Sequence, residues 1–447
     1  MTEQLTASTV LFDRAKAALA ARSASGDEPE WLSRHRKAAA DWLLREGFPS
    51  NRHEAWRFFP LKSTLSMPFS IDSSDLHALA RPSGTELGGL PAAQRVSVIN
   101  GRAELGPASQ RGPWRILRLS EAWTEPRWAA CIAAQLSDGA SLPDGFAALN
   151  AALFNDAVVA VLPAGSTGGE PLEIEIVTES GRGAAASTPR VFVLVEPRAE
   201  ARLVERHTTV GSGADCLSAS VFNIAVQDDA ELVHVRLLLG SAVLHSLDVV
   251  GVRQARGSRY RSKVVTLGGK LSRLDLRVAL EGTGAECYLD GLYLAEGTEV
   301  VDHHTFVDHL QPHCTSLEHY RGVVSGRAHS VFDGTLKVRA GAQRTSARQE
   351  NRNLLLSGNA VIHTKPHLEI DADDVTCSHG ATVGQLDADE LFYLRARGIG
   401  DELGRALLIH AFVVEILDRV VPPWVGPEMR RAVLERLPGG QLVEAVG

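Results

Sequence analysis

Aromatic residues are scarce in this chain, at 6% of 447 residues, while glycine is abundant at 40. That balance suits turn-rich β-structure better than a core built on large rings. Cysteine is sparse and scattered: Cys131, Cys216, Cys287, Cys314 and Cys377 are odd in number and form no Cys-x-x-Cys pair. A disulfide framework is thereby excluded, and a reducing, cytoplasmic setting is expected. No apolar run is long enough to cross a bilayer, so no membrane partner is expected. The first twenty residues lack the basic start, apolar stretch and cleavage site of a secretory signal. No HExxH helix and no GxSxG elbow occurs, and the Gly-rich stretch GSTGGEP (residues 165–171) lacks the Lys-Ser/Thr ending of a phosphate loop. Zinc-protease, nucleophile-elbow and self-contained ATPase chemistry are excluded on these grounds. A net charge of −8 argues against a nucleic-acid partner.

What is present is 44% apolar and 22% charged, the composition of a soluble globular protein. The length implies two or three domains. Residues 1–94 read as a helical region. Leu32, Ala39, Leu43 and Phe48 fall near a helical period, Gly47 is a stop, and Trp56 and Phe59 are expected to pack this cap onto the next domain. Residues 95–385 read as a mainly β core of short alternating strands. Leu274, Leu276, Val278 and Leu280 share one face of the clearest strand, with Asp275, Arg277 and Ala279 on the other. Helical interruptions are expected near Glu121–Leu136 and Gly145–Phe154. Evenly spaced strands admit a sandwich, a barrel or a solenoid, and no strict repeat chooses among them. Residues 386–447 read as a C-terminal helical domain. Asp387 and Glu390 form a capping box, and Gly398 ends the short helix that follows. A longer helix over Asp401–Val420 has Leu403, Leu407, His410, Val413, Leu417 and Val420 as its expected apolar stripe, widened by Ala406 and Ile416.

Two groups of residues are candidates for chemistry. Cys377 and His379 lie two apart, so on a strand they address one space, and thiolate with imidazole suits iron, zinc or cluster ligation. Two ligands do not complete a four-coordinate site, so a second chain supplies the rest or the pair is a buried Cys beside a surface His. The stretch DHHTFVDHLQPHC (residues 302–314) holds the metal candidates His304, His309 and Cys314, yet alternation puts His303 and His304 on opposite faces. Polar packing competes with metal binding here. The run from Gln343 through Gln349, Asn351 and Asn353 reads as structural, since no carboxylate pair accompanies it.

Several longer segments resemble one family closely. These are Ala342-Gln343, Gln349–Ser357, Pro366–Ile370, Ala372–Val375, Cys377–Thr382 and Leu391–Ile399, together with Arg52–Leu61 near the start. They are similar to the SufB/SufD proteins of iron–sulfur cluster assembly, and most to the SufD type, because the Leu391-Phe392-Tyr393 segment carries no Cys. The resemblance implies a right-handed parallel β-helix core flanked by helical domains. It implies a non-enzymatic scaffold whose partners are a SufB-type homologue and a SufC-type ABC ATPase docked on the C-terminal helices. His379, with Cys377, would face the SufB interface. Leu391, Phe392, Tyr393 and Arg397 would contact a partner. No cofactor is implied in the isolated chain, only a transient iron–sulfur cluster in the complex. A SufB-type scaffold, a β-helix carbohydrate-active enzyme and a metal hydrolase built on residues 303–314 are the competing readings.

Overall fold

The computed structural model of the chain describes residues 9–22, 28–71, 90, 94–137, 144–211 and 213–444. Parts of the expected helical region (residues 1–8, 23–27, 72–89 and 91–93) and of the C-terminal domain (445–447) lie outside the described residues. Between Gln94 and Gly384 the chain winds as a parallel β-helix. From Val221 onward successive strands go alternately to an eleven-stranded and a ten-stranded sheet, and each pairs in parallel with the strand one turn earlier. Beyond the first strand, the pairing offset varies from 26 residues between His245 and Leu271 to 33 between Val158 and Val191. That variation explains why no strict repeat is visible. The first turn is closed by short antiparallel strands, Arg102–Glu104 against Gln94–Ile99 and Arg115–Arg118 against Val158–Leu162.

The expectation of short strands is corrected: the later strands, such as Leu271–Leu280 and Val300–His309, each run for 10 residues. Hydrophobic alternation marks only part of each, because polar side chains enter the interior and helices bury parts of the outer faces. Leu274, Leu276, Val278 and Leu280 do face the interior core. The helical interruptions occur as Leu119–Ala122, Pro126–Ser137 and Gly145–Leu153.

Helices cover both sheets. On one, Trp56 and Phe59 bury against Phe146, Leu247, Leu271 and Val300. Arg273 lies over the Trp56 ring at 3.9 Å and donates to Ala55 O at 2.8 Å and to Asp302 Oδ2 at 2.5 Å. Across the other lies the helix Asp401–Val420, whose buried face is Ala406, Ile409, Val413, Ile416, Leu417 and Val420. The expected stripe is therefore rotated: Leu403, Leu407 and His410 are only half-buried, and Ile409 takes the central place. Ile409, Val413 and Ile416 pack on Val265, Leu292 and Val323, each contributing about 1.5–3 kcal/mol by burial. Among the described residues no helix is long and apolar enough to cross a membrane.

The interior is apolar in the early turns and partly polar later. Tyr293 and Tyr320 each lie over the glycine of the adjoining turn. A Cβ at Gly322 would come within 2.1 Å of the Tyr293 ring, and one at Gly291 within 2.1 Å of the Tyr320 ring. Two buried glutamates differ sharply. Burial alone would raise the pKa of Glu205, but Arg236, His207 and His234 hold it well below the ordinary range. Glu318 has no such cation among the described residues, and burial raises it from 4.5 to about 7, against the opposing effect of the Thr305 hydroxyl and the Gln349 amide.

Gly322→Ala should lower stability by about 2 kcal/mol or more through overpacking on Tyr293, measured by urea unfolding. Glu318 has a pH signature. The unfolded chain ionises this carboxyl near 4.5 and the folded chain only near 7. Folding thus takes up a proton between those values, and stability falls as pH rises through that window. Glu318→Gln should therefore be more stable than wild type by about 3 kcal/mol at pH 8.5 and nearly equal to it at pH 4.5. Equal differences at both pH values would show that the carboxyl is not destabilised by burial.

Candidate functional site

The β-helix ends in two strands that, among the described residues, each have a neighbour on one side only, Val361–Ile370 in one sheet and Val375–Gly384 in the other. Their side chains are much more open than those of earlier turns. Val361, Ile370 and Val383 are 43%, 40% and 44% exposed, an unusual density of bared apolar groups at one end. The turn between the strands is held by Gln343, whose Oε1 accepts from Asp374 N at 2.8 Å, and by Arg344 N donating to Asp374 O at 2.6 Å. Val375 and Cys377 then pack inward beside Val338, Ala342 and Ala372, which sets the inward phase of the last strand.

Cys377 and His379 share that phase. Cys377 pairs in register with Ala347, and His379 with Gln349. Cys377 is half-buried, and burial raises the pKa of its thiol. It is therefore a neutral thiol at pH 7 unless a cation or metal draws off the proton. His379 is exposed and lines a surface groove of about 570 Å³ with Gln349, Asn351, Arg348 and Arg352. The structure thus brings the two residues to one face at the open end of the fold.

The metal candidates do not come together. His303 is inside the tube, paired with Thr266 Oγ1 at 3.1 Å, and burial lowers its pKa to about 3. His304 faces outward to Asp302 Oδ1 at 2.9 Å. His309 pairs with Ser316 Oγ at 2.9 Å, its pKa lowered by burial to about 4. The Cys314 thiol donates to Gly282 O at 3.4 Å. Among the described residues no group of three or more His, Cys, Asp or Glu is placed to hold a metal. His303, His309 and Cys314 each serve a local hydrogen bond, and His304 sits against the Asp302 carboxylate.

On the helix Ala388–Ala396, Leu391 is buried while Phe392 and Tyr393 are 70% and 56% exposed. Leu391 turns inward toward Gly404 of the following helix. Arg397 is exposed and lies 4.5 Å from the Tyr393 ring. Of the four residues assigned to partner contact, Leu391 thus supports the helix pair and the other three form a surface. Glu318 drew no attention in the sequence, yet it stands in the same column as Gln349 and His379. It lies in an otherwise ordinary alternating strand, and the one visible signal was the polar run containing Gln349.

Residues 176–412 match the SufBD core domain of the SUF system for FeS cluster assembly. A protein of Synechocystis described as an iron-sulfur cluster assembly SufBD family protein is 32% identical over 416 residues, 89% of each chain. The iron-sulfur cluster assembly protein SufD of Escherichia coli is 27% identical over 405 residues, 89% of this chain and 91% of its own. A SufBD family protein of Mycobacterium tuberculosis is 30% identical over 311 residues, 68% of this chain and 77% of its own. The stacked parallel turns, the open last turn with its Cys-x-His pair and these similarities over most of the chain lead to one conclusion: the chain belongs to the SufBD family of iron–sulfur cluster assembly proteins.

Proposed function

We propose that the chain is a SufD-type scaffold subunit of a cytoplasmic SufB–SufC–SufD complex. It catalyses no reaction alone and takes part in assembling iron–sulfur clusters that pass through the complex as cargo. The observation carrying this reading is the open terminal turn, with His379 and Cys377 on its edge strand. An edge strand with unpaired backbone groups is a template for a second sheet, and a SufB-type homologue is the partner proposed to complete it. His379 offers an imidazole nitrogen at that edge, and the partner supplies the thiolate ligand that a lone imidazole lacks. The neutral, half-buried thiol of Cys377 is the weaker donor. The SufD type is favoured over the SufB type by the extended similarity to the Escherichia coli SufD and by the absence of Cys from Leu391–Tyr393.

The SufC-type ATPase is proposed to dock on the C-terminal helices, with Phe392, Tyr393 and Arg397 as its contact. Two bared rings with a guanidinium beside one of them have the composition of an interface hot spot.

In complexes reconstituted anaerobically with iron and sulfide, His379→Ala should fold normally and lose several-fold in cluster content, while Cys377→Ser loses less. Equal loading of His379→Ala and wild type would remove His379 from the cluster site. Phe392→Asp with Tyr393→Asp should weaken ATPase binding at least about tenfold in calorimetry without shifting the melting temperature of the isolated chain. Unchanged binding would move the dock elsewhere.

A further inference from the structure

His379 is the outer end of a column that reaches into the tube. Glu318, Gln349 and His379 are register partners on the strands Thr315–Val324, Thr345–Leu355 and Val375–Gly384. Their side chains stand one above another on the inner face, about 4.8 Å per step. Glu318 and Gln349 are each 1% exposed. Gln349 Nε2 donates to Glu318 Oε2 at 2.6 Å, while Gln349 Oε1 has no partner among the described residues. The slot for this amide is made by a glycine on the facing sheet. A Cβ at Gly334 would lie 2.0 Å from Gln349 Nε2 and 3.0 Å from Thr305 Oγ1.

The column did not need a carboxylate to be filled. One turn before Glu318 the same position is Leu289, which packs in the apolar core without cost. Among the described residues no cation faces Glu318. The groups around it are Cys287 on the previous turn, Thr305 from the opposite sheet, Tyr320 on its own strand and Gln349. A buried, uncompensated acid that an aliphatic could replace is retained at a cost in stability.

We propose that Gln349 is the positioning residue of His379, and that Glu318 holds the Gln349 amide in one orientation. An ionised carboxylate only accepts hydrogen bonds, so it binds the NH2 end of the amide. The carbonyl end, unpartnered among the described residues, is then presented to the next turn, where the imidazole of His379 is the N–H donor assigned to it. The second ring nitrogen is left as the lone-pair donor at the open edge, the arrangement by which outer partners orient ligating imidazoles. The consequence for cluster binding rests on the reading of His379 as a cluster ligand. The orientation of its ring does not.

The test is the tautomer of His379, read from imidazole ¹⁵N shifts in the full-length labelled chain at pH 8.5, where Glu318 is ionised. His379→Ala identifies the signals. Wild type should show one dominant tautomer. Gln349→Leu, Glu318→Gln and Gly334→Ala should each reduce the tautomer ratio about fivefold, the weight of one hydrogen bond, with the His303 and His309 signals unmoved. Glu318→Gln keeps the side-chain volume and carries the test if Gln349→Leu fails to fold. A two-tautomer mixture in wild type, or His379 shifts unchanged by Gln349→Leu and Glu318→Gln, would overturn the proposal. Cluster loading of the His379→Ala complex is read separately, so loss of the ligand reading leaves the tautomer result standing.

Discussion

Backbone amides of a parallel β-helix find their partners on the turn before and the turn after, and this requirement organises the molecule. Inside the stack every strand is satisfied on both sides, so the core can vary turn by turn without loss of the ladder. At the ends the requirement fails. The first turn is shielded by short antiparallel strands and helices. Among the described residues the last has no such closure, and Val361–Ile370 and Val375–Gly384 keep one bare edge each. The position of the candidate site follows from this. His379 and Cys377 are where they are because the winding stops there.

The same stacking aligns residues about 30 positions apart into columns, and columns of polar side chains interact strongly in an environment of low dielectric. Glu205 is compensated by Arg236 and two histidines, and Arg236 continues to Asp248. That network is closed and holds its charges. Glu318 has an amide and a hydroxyl for company, so its proton is loosely decided near neutrality. The histidines of residues 303–309 are a third case. Desolvation keeps His303 and His309 neutral, and they act as hydrogen-bonding groups.

Much of the architecture was legible. The alternation of Leu274, Leu276, Val278 and Leu280 identified an inner face, Gly47 stopped its helix with φ of 72°, and Asp387 capped the helix after the core. The winding itself was legible only by family resemblance, because offsets between 26 and 33 residues leave no fixed period to detect. The face of Asp401–Val420 was misjudged because leucines occur all round that helix, and the sheet beneath it decides which ones bury. His379 was visible through its motif. Glu318 was not, since 31 residues separate it from its partner Gln349 and only the register unites them.

Because each turn touches mainly its neighbours, the stack behaves as a nearly one-dimensional chain of coupled units. Interior units are held from both sides and a terminal unit from one, so opening free energies fall toward the unshielded end. Amide hydrogen exchange should therefore be graded along the axis, slowest in the middle turns and fastest in residues 361–384. Fraying of that last unit would expose the edge only partly ordered, and a second sheet laid against it would supply the missing coupling. Assembly and local ordering would then be one event, and the region richest in candidate ligands would become rigid only when its counterpart arrives.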